Sequence, residues 1–231
     1  MNRVSFEQRE LPYEITEEIK TLRTNLQFSG DDKKVIMLTS CISGEGKSFL
    51  SLDLAMSIAE LKKKVVLVDC DLRKSVLVNK LQSGAVSKGM SHFLSGQCDF
   101  SEALCATNIP GLAVIFAGVV PPNPTELLSG AAFEKMITTL RDAFDYVILD
   151  CAPIGMVVDA SIVAPSCDGS ILVLESATIR KRFAQETKRK LERTGTPILG
   201  LILNKVDVKK DGKYYGKYYG NRYTKYYKHE N

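Results

Sequence analysis

The sequence predicts an α/β fold, a mostly parallel sheet with helices on both faces in three layers, on three observations. The apolar run Val35-Ile36-Met37-Leu38 leads into Ser40-Cys41-Ile42-Ser43-Gly44-Glu45-Gly46-Lys47-Ser48, and a helical pattern, Phe49 to Met56, follows. Strand, glycine-bearing loop and helix opening on Lys-Ser is the P-loop arrangement. Further apolar runs, Val65-Val66-Leu67-Val68 and Tyr146-Val147-Ile148-Leu149, each end in an aspartate. Helical patterns alternate with these runs, which favours parallel strands joined by right-handed crossovers. Together they give a P-loop NTPase fold.

Taken in order, residues 1–14 lack periodicity and read as an arm. A helix is expected over 15–28, with Ile19, Leu22 and Leu26 on one face and Thr16 able to cap it. Glu17, Lys20 and Arg23 fall three apart and form a charged stripe. In the loop, Gly44 and Gly46 allow close backbone approach and positive φ, and the loop N–H groups and helix N-terminus favour an anion. Lys47 is placed to reach the β/γ-phosphates, and the Ser48 hydroxyl to ligate Mg²⁺. The strict pattern wants glycine where Cys41 stands.

The strand at 65–68 runs into Asp69-Cys70-Asp71-Leu72-Arg73, and open α/β sheets place ligands at such carboxyl ends. Residues 75–110 are mixed, with Gly84, Gly89 and Gly96 breaking short helical runs. Leu112 to Phe116 is a strand, Pro121-Pro122-Asn123-Pro124 a rigid loop, and Thr125 caps a helix reaching about Arg141. Asp150 ends its apolar run in the Walker B manner, where a carboxylate helps hold Mg²⁺. Ser170 to Leu174 and Ile198 to Leu203 are two more strands, with a helix from about Thr178 to Arg193 between them. Asn204-Lys205-Val206-Asp207 matches the guanine-reading N-K-x-D pattern. The D-x-x-G partner motif is broken, because Pro153 stands where its glycine belongs.

Composition narrows the classes. The chain of 231 residues is long enough for one sizeable core. Its six cysteines show no C-x-x-C spacing and His92 and His229 stand apart, so no zinc site is expected. No apolar stretch has the length of a membrane helix and no leader pattern opens the chain, so a cytoplasmic location is expected. Net charge is +4, and the stretch from Lys209 holds seven basic and two acidic residues, so no chain-wide nucleic-acid footprint exists. That stretch also carries Tyr214, Tyr215, Tyr218, Tyr219, Tyr223, Tyr226 and Tyr227 without one aliphatic residue, and is expected to be disordered. It reads as a set of substrate hydroxyls or as a single-strand nucleic-acid binder. The chain thus divides into a P-loop domain, 1–208, and a flexible Tyr/Lys-rich tail, 209–231.

These features together resemble the bacterial tyrosine kinases of capsular and exopolysaccharide synthesis, over nearly the whole chain. The resemblance rests on Arg23-Thr24-Asn25, the Walker A loop, Val66 to Arg73, Pro121-Pro122-Asn123-Pro124 with Glu126-Leu127-Leu128, Asp150 and the tyrosine cluster. The family tolerates a non-glycine at Cys41. The chain departs at Lys20, where the E-x-x-R-x-x-R motif has arginine, and at Ser75, where the family has proline. The resemblance implies an ATP- and Mg²⁺-dependent protein-tyrosine kinase. Lys47, Asp69, Asp71 and Asp150 would be catalytic. Ser43, Gly44, Glu45, Gly46, Lys47, Ser48, Phe49 and Asn204 would lie on the nucleotide, and Ser48, Asp71 and Asp150 on the metal. Asp69 is assigned to orienting or deprotonating the tyrosine, though Asp69 and Asp71 could exchange roles. The seven tail tyrosines would be phosphorylated, and Glu17, Lys20 and Arg23 would contact a neighbour in an unphosphorylated ring. A transmembrane polysaccharide co-polymerase would activate the chain and recruit it to the inner membrane face, with nucleic acid not a partner. The competing reading is a ParA/MinD-type ATPase, or a GTPase, working as a nucleotide-dependent oligomerisation switch; the extra lysine of that group is absent at Ile42.

Overall fold

The computed structural model describes residues 2–7, 10–30 and 32–207. The tail tyrosines, Tyr214 to Tyr227, and the expected disorder of 209–231 lie outside the described residues.

The strands are β1 (Asn2–Arg3), β2 (Ser5–Phe6), β3 (Val35–Ser40), β4 (Val65–Asp69), β5 (Leu81–Ser83), β6 (Leu104–Ala106), β7 (Leu112–Ile115), β8 (Tyr146–Asp150), β9 (Gly169–Glu175) and β10 (Ile198–Asn204). The helices are α1 (Tyr13–Phe28), α2 (Lys47–Ala59), α3 (Met90–Leu94), α4 (Phe100–Ala103), α5 (Pro124–Leu128), α6 (Ala131–Ala143), α7 (Asp159–Val163) and α8 (Lys181–Glu192). Eight strands form one sheet in the order β1-β6-β7-β4-β8-β3-β9-β10, and β2 pairs with β5 apart from it. All pairs in the large sheet are parallel except β6 with β7.

The central strands carry unbroken apolar runs, over residues 35–38, 65–68 and 147–149, because both faces are covered. Along β3, Val35 and Met37 pack into a core with α6, α7 and Leu191 of α8, while Ile36 and Leu38 join α2 and Leu26 of α1 on the other face. The same alternation runs through β4, where Val66 and Val68 face one core and Val65 and Leu67 the other. This gives the expected three layers.

Three local expectations are corrected. The N-terminal arm is ordered over 2–7: β1 pairs with β6, and Val4 and Phe6 are buried, with the Phe6 ring 6.2 Å from that of Phe116. Two buried residues two apart are too short a pattern to register as periodicity. Helix α1 starts at Tyr13 with Pro12 at its N-cap, so Thr16 lies inside the first turn and donates to the Pro12 carbonyl at 3.3 Å. The helix expected from Thr125 to about Arg141 is two helices: Pro124 opens α5, and Gly130, in extended conformation, separates it from α6.

Candidate active site

The strand order puts β8 between β3 and β4, so the phosphate loop and both acidic strand ends meet at one edge of the sheet. Asp69 and Asp150 are direct register partners, and Leu38, three residues before the loop, is opposite Asp150. Three separate stretches of sequence thereby become one site.

The loop 41–46 runs from β3 into α2. Gly44 and Gly46 take φ of +90° and +87°, which only glycine adopts without strain. A Cβ on Gly46 would also lie 2.2 Å from Nδ2 of Asn204. Cys41 is fully buried and its φ is not positive, which is why glycine is dispensable there. The chain after β8 presses on it, since a Cβ on Gly155 would stand 2.1 Å from the Cys41 carbonyl oxygen.

Glu45 turns its side chain beneath the loop. Its carboxylate accepts the Ile42 N–H at 2.8 Å and the Glu175 N–H at 2.9 Å, fixing the loop against the end of β9. Asn204 donates to the Glu45 carbonyl at 2.8 Å, and Lys205 Nζ to the Gly44 carbonyl at 2.7 Å while pairing with Glu175 at 3.1 Å. The N-K pair therefore grips the loop from the end of β10. Ser43 is at the open side, its hydroxyl 3.7 Å from the Met156 sulfur, and Ser48 Oγ lies 3.3 Å from Lys47 Nζ. Phe49 is in the first turn of α2, where the Lys80 ammonium stands 5.0 Å from its ring centre.

Lys47 is buried and its ammonium donates to Asp150 Oδ1. Burial disfavours the charged amine, but Asp150, with Asp71 and Asp69 beyond it, outweighs burial and raises its pKa. Ser51, one turn along α2, brings its hydroxyl to 3.2 Å from the same carboxylate oxygen. Asp69 is fully buried. Burial first, and the nearby Asp150 charge second, push its carboxyl up to about 7, against the Ser75 hydroxyl that donates to its Oδ2. Asp71 is the least buried of the three carboxylates; its N–H donates to Asp69 Oδ1 at 3.2 Å and its own Oδ1 accepts the Lys74 N–H at 3.0 Å.

The structure thus brings Lys47, Ser48, Asp69, Asp71 and Asp150 together. Glu17, Lys20 and Arg23 lie elsewhere, on α1. Lys20 pairs with Glu17 at 2.8 Å, and Arg23 turns inward to donate to the Ser57 carbonyl at 2.7 Å and to meet Glu60 at 3.3 Å. Sequence reasoning missed Ser51, Ser75 and a support behind the acidic strand ends. There Arg73 forks onto the buried Asp159 at 2.6 and 2.9 Å and reaches Thr125 Oγ1 at 3.2 Å, tying the end of β4 to α7 and α5. The helical spacing of Ser51 from Lys47, i to i+4, was the one available signal.

Among the described residues no cluster of three or more His, Cys, Asp and Glu side chains forms a metal centre by itself. Mg²⁺ takes one or two carboxylates, waters and phosphate oxygens, and Ser48, Asp71 and Asp150 are donors of that kind beside an anion-binding loop. The site fits a magnesium nucleotide.

The AAA domain family matches residues 33–179. Tyrosine-protein kinase CpsD of Streptococcus agalactiae is 45% identical over 193 residues, covering 83% of this chain and 84% of that protein. Tyrosine-protein kinase YwqD of Bacillus subtilis is 37% identical over 191 residues, covering 82% of this chain and 80% of that one. Among solved structures, the chimerical protein CapA2B2 superposes with a TM-score of 0.80 at 29% identity, covering 88% of this chain and 93% of that chain. The kinase domain of Escherichia coli tyrosine kinase ETK gives 0.78 at 30% identity, covering 87% and 82%. With its phosphate loop, its register-paired aspartates and these relatives, the chain belongs to the bacterial tyrosine kinases of the capsule family.

Proposed function

We propose that this chain is an ATP-dependent protein-tyrosine autokinase that phosphorylates the tyrosine cluster of a second copy, and so regulates capsular or exopolysaccharide synthesis and export. The observation that carries the reading is the convergence of Lys47, Ser48, Asp69, Asp71 and Asp150 at one sheet edge, in a chain whose last strand at that edge leads into seven tyrosines. The kinase names of its relatives support it. Phosphoryl transfer needs positioning and charge neutralisation more than covalent help.

In this reading Ser43 to Phe49 wrap the phosphates, with Asn204 bracing the loop beside them. Lys47 exchanges Asp150 for phosphate oxygens, an anion for an anion. Bound Mg²⁺ would neutralise developing phosphate charge, with Ser48, Asp71 and Asp150 holding it. Asp69 takes the proton of the attacking phenol, and a carboxyl near 7 is matched to that task. Asp71, being less buried, is the better placed for the metal.

The proposal extends to a transmembrane polysaccharide co-polymerase as activator, which recruits the chain to the inner membrane face, and to a homo-oligomeric ring before phosphorylation with Glu17, Lys20 and Arg23 near the contact. Activity is then low alone and rises when the activator's cytoplasmic segment is added. The deciding experiment is a phosphotyrosine blot of purified protein given Mg-ATP or Mg-GTP, with Lys47→Met beside it. Signal with ATP alone, absent in Lys47→Met, is expected. Absence of signal with either nucleotide, with the activator's cytoplasmic segment present, overturns the kinase reading in favour of a nucleotide switch.

A further inference from the structure

The segment opening and forming α8 is strongly basic. Residues 180–193 hold seven basic and two acidic side chains. Arg180, Lys181, Arg182, Arg189, Lys190 and Arg193 are exposed, while Thr187 and Leu191 face the core. Both acids are already paired, Glu186 with Arg182 at 3.0 Å and Glu192 with Lys188. Among the described residues, Arg180, Lys181, Arg189 and Arg193 have no acidic partner. Arg182, Arg189 and Arg193 lie along the outer side of the helix, about 10 and 6 Å apart along its axis, with Glu186, the partner of Arg182, between the first two. Surplus arginine on a face this ordered calls for an anion, and an arginine stripe is suited to phosphate through forked hydrogen bonds.

The chain supplies one within reach. Asn204 pairs with Glu175, the Ser176 N–H donates to the Asn204 carbonyl at 2.9 Å, and Arg180 follows four residues later. The end of β10 therefore lies beside the segment that leads into α8. The helix is about 18 Å long. Seven residues separate Asp207 from Tyr214 and can span at most about 25 Å, so every tail tyrosine can reach some part of the stripe. As synthesised, the segment from Lys209 has seven basic and two acidic residues and is repelled by α8. Each phosphate adds about −1.5 to −2 charges, so about four of them reverse the sign of the tail.

We propose that the outer face of α8 is a docking surface for this chain's own phosphorylated tail, with Arg182, Arg189 and Arg193 receiving the phosphotyrosines. The inference rests on the autokinase reading for the source of the phosphate. Its consequence is a device set by charge. The unmodified tail is held off its own body and is available to a neighbour, and the modified tail is withdrawn onto α8.

The test uses the full chain without nucleotide and a synthetic peptide of residues 212–227, with phosphotyrosine at 214, 215, 218 and 219, in fluorescence anisotropy. The phosphopeptide binds, more weakly as salt rises. The unphosphorylated peptide does not bind. Combined Arg182→Gln, Arg189→Gln and Arg193→Gln weakens binding about tenfold or more. Photo-crosslinks from the bound peptide to wild-type protein fall on residues 180–193, which guards against a variant that misfolds. Equal affinity for wild type and variant, no binding, or crosslinks elsewhere overturns the proposal. Vesicles rich in anionic phospholipid form a second arm: sedimentation that depends on these arginines, with no phosphopeptide binding, overturns it in favour of a lipid surface. The peptide arrives already phosphorylated, so a negative blot with Mg-ATP sinks the autokinase reading without altering this result.

Discussion

Replacing Gly46 by alanine separates two physical costs that Gly44 separates the other way. Both glycines sit near φ +90°, so an L-residue at either costs about 1–2 kcal/mol in backbone strain. At Gly44 a Cβ meets nothing within 4 Å, and that strain is the whole cost. At Gly46 the Cβ would lie 2.2 Å from Asn204 Nδ2, so the amide must swing away and release the Glu45 carbonyl it holds at 2.8 Å. Losing that bond adds about 0.5–1.5 kcal/mol. Gly46→Ala should then cost about 1.5–3.5 kcal/mol, against about 1–2 for Gly44→Ala. Urea unfolding midpoints at constant m measure both. Asn204→Ala completes the cycle: with the amide already gone, Gly46→Ala should cost no more than Gly44→Ala does. The reasoning is refuted if the two glycine variants are equally destabilised, or if the Gly46→Ala cost is the same with and without Asn204.

Three further outcomes follow from the same geometry. With Asp69 ionising near 7 and acting as the base, kcat/KM should fall about tenfold per pH unit below that value; Asp69→Asn should abolish this limb and lower kcat by about 10²–10⁴, and a retained limb would remove Asp69 from the role. Because folding raises this carboxyl, its ionisation opposes folding fully at and above pH 7, and the opposition fades as pH falls toward the unfolded value near ~3.9. Arg73→Ala leaves the buried Asp159 without its fork and should lower stability by about 1–3 kcal/mol, with Arg73→Lys recovering only part of it in thermal melts. Asp168 is partly buried, but Arg141 and the Val35 and Lys34 N–H groups hold its carboxyl below the usual range. The stability it provides should be full above about pH 4 and lost as pH falls below the unfolded value, so the gap between wild type and Asp168→Asn in urea midpoints should close in acid.

What was legible in the sequence was whatever one stretch of chain specifies alone. β3, β4 and β8 stood out because strands covered on both faces carry unbroken apolar runs, and the aspartates ending two of them marked the ligand edge. The loop glycines announced their conformation. Register did not show: that Asp69 faces Asp150 follows from β8 lying between β4 and β3, a property of strand order. The direction of Glu45 was hidden for the same reason, since its partners are Ile42 and the distant Glu175. Ser75 read as a departure from a family proline, whereas in space its hydroxyl donates to Asp69, which proline cannot do. Arg73 and Asp159 are 86 residues apart, and neither carries a local sign of the other.

The proton on Asp69 is tied to the position of Lys47. Two buried carboxylates, Asp69 and Asp150, face one another across adjacent strands, and one buried ammonium serves both. Burial first, and repulsion from Asp150 second, raise Asp69, while the Ser75 hydroxyl and Lys47 lower it. If Lys47 turns toward phosphates in the loop, its charge leaves this pair, and Asp69 holds its proton more firmly unless positive charge returns beside Asp150. A nucleotide alone would thus draw away the amine that keeps Asp69 ionisable, whereas a nucleotide bringing its own cation restores the balance. On the proposed reading, a preference for a metal-bound nucleotide would be built into the proposed base as well as into the phosphate loop. The loop, Lys47 and the two aspartates act as one electrostatic unit, even though neither aspartate belongs to the glycine motif.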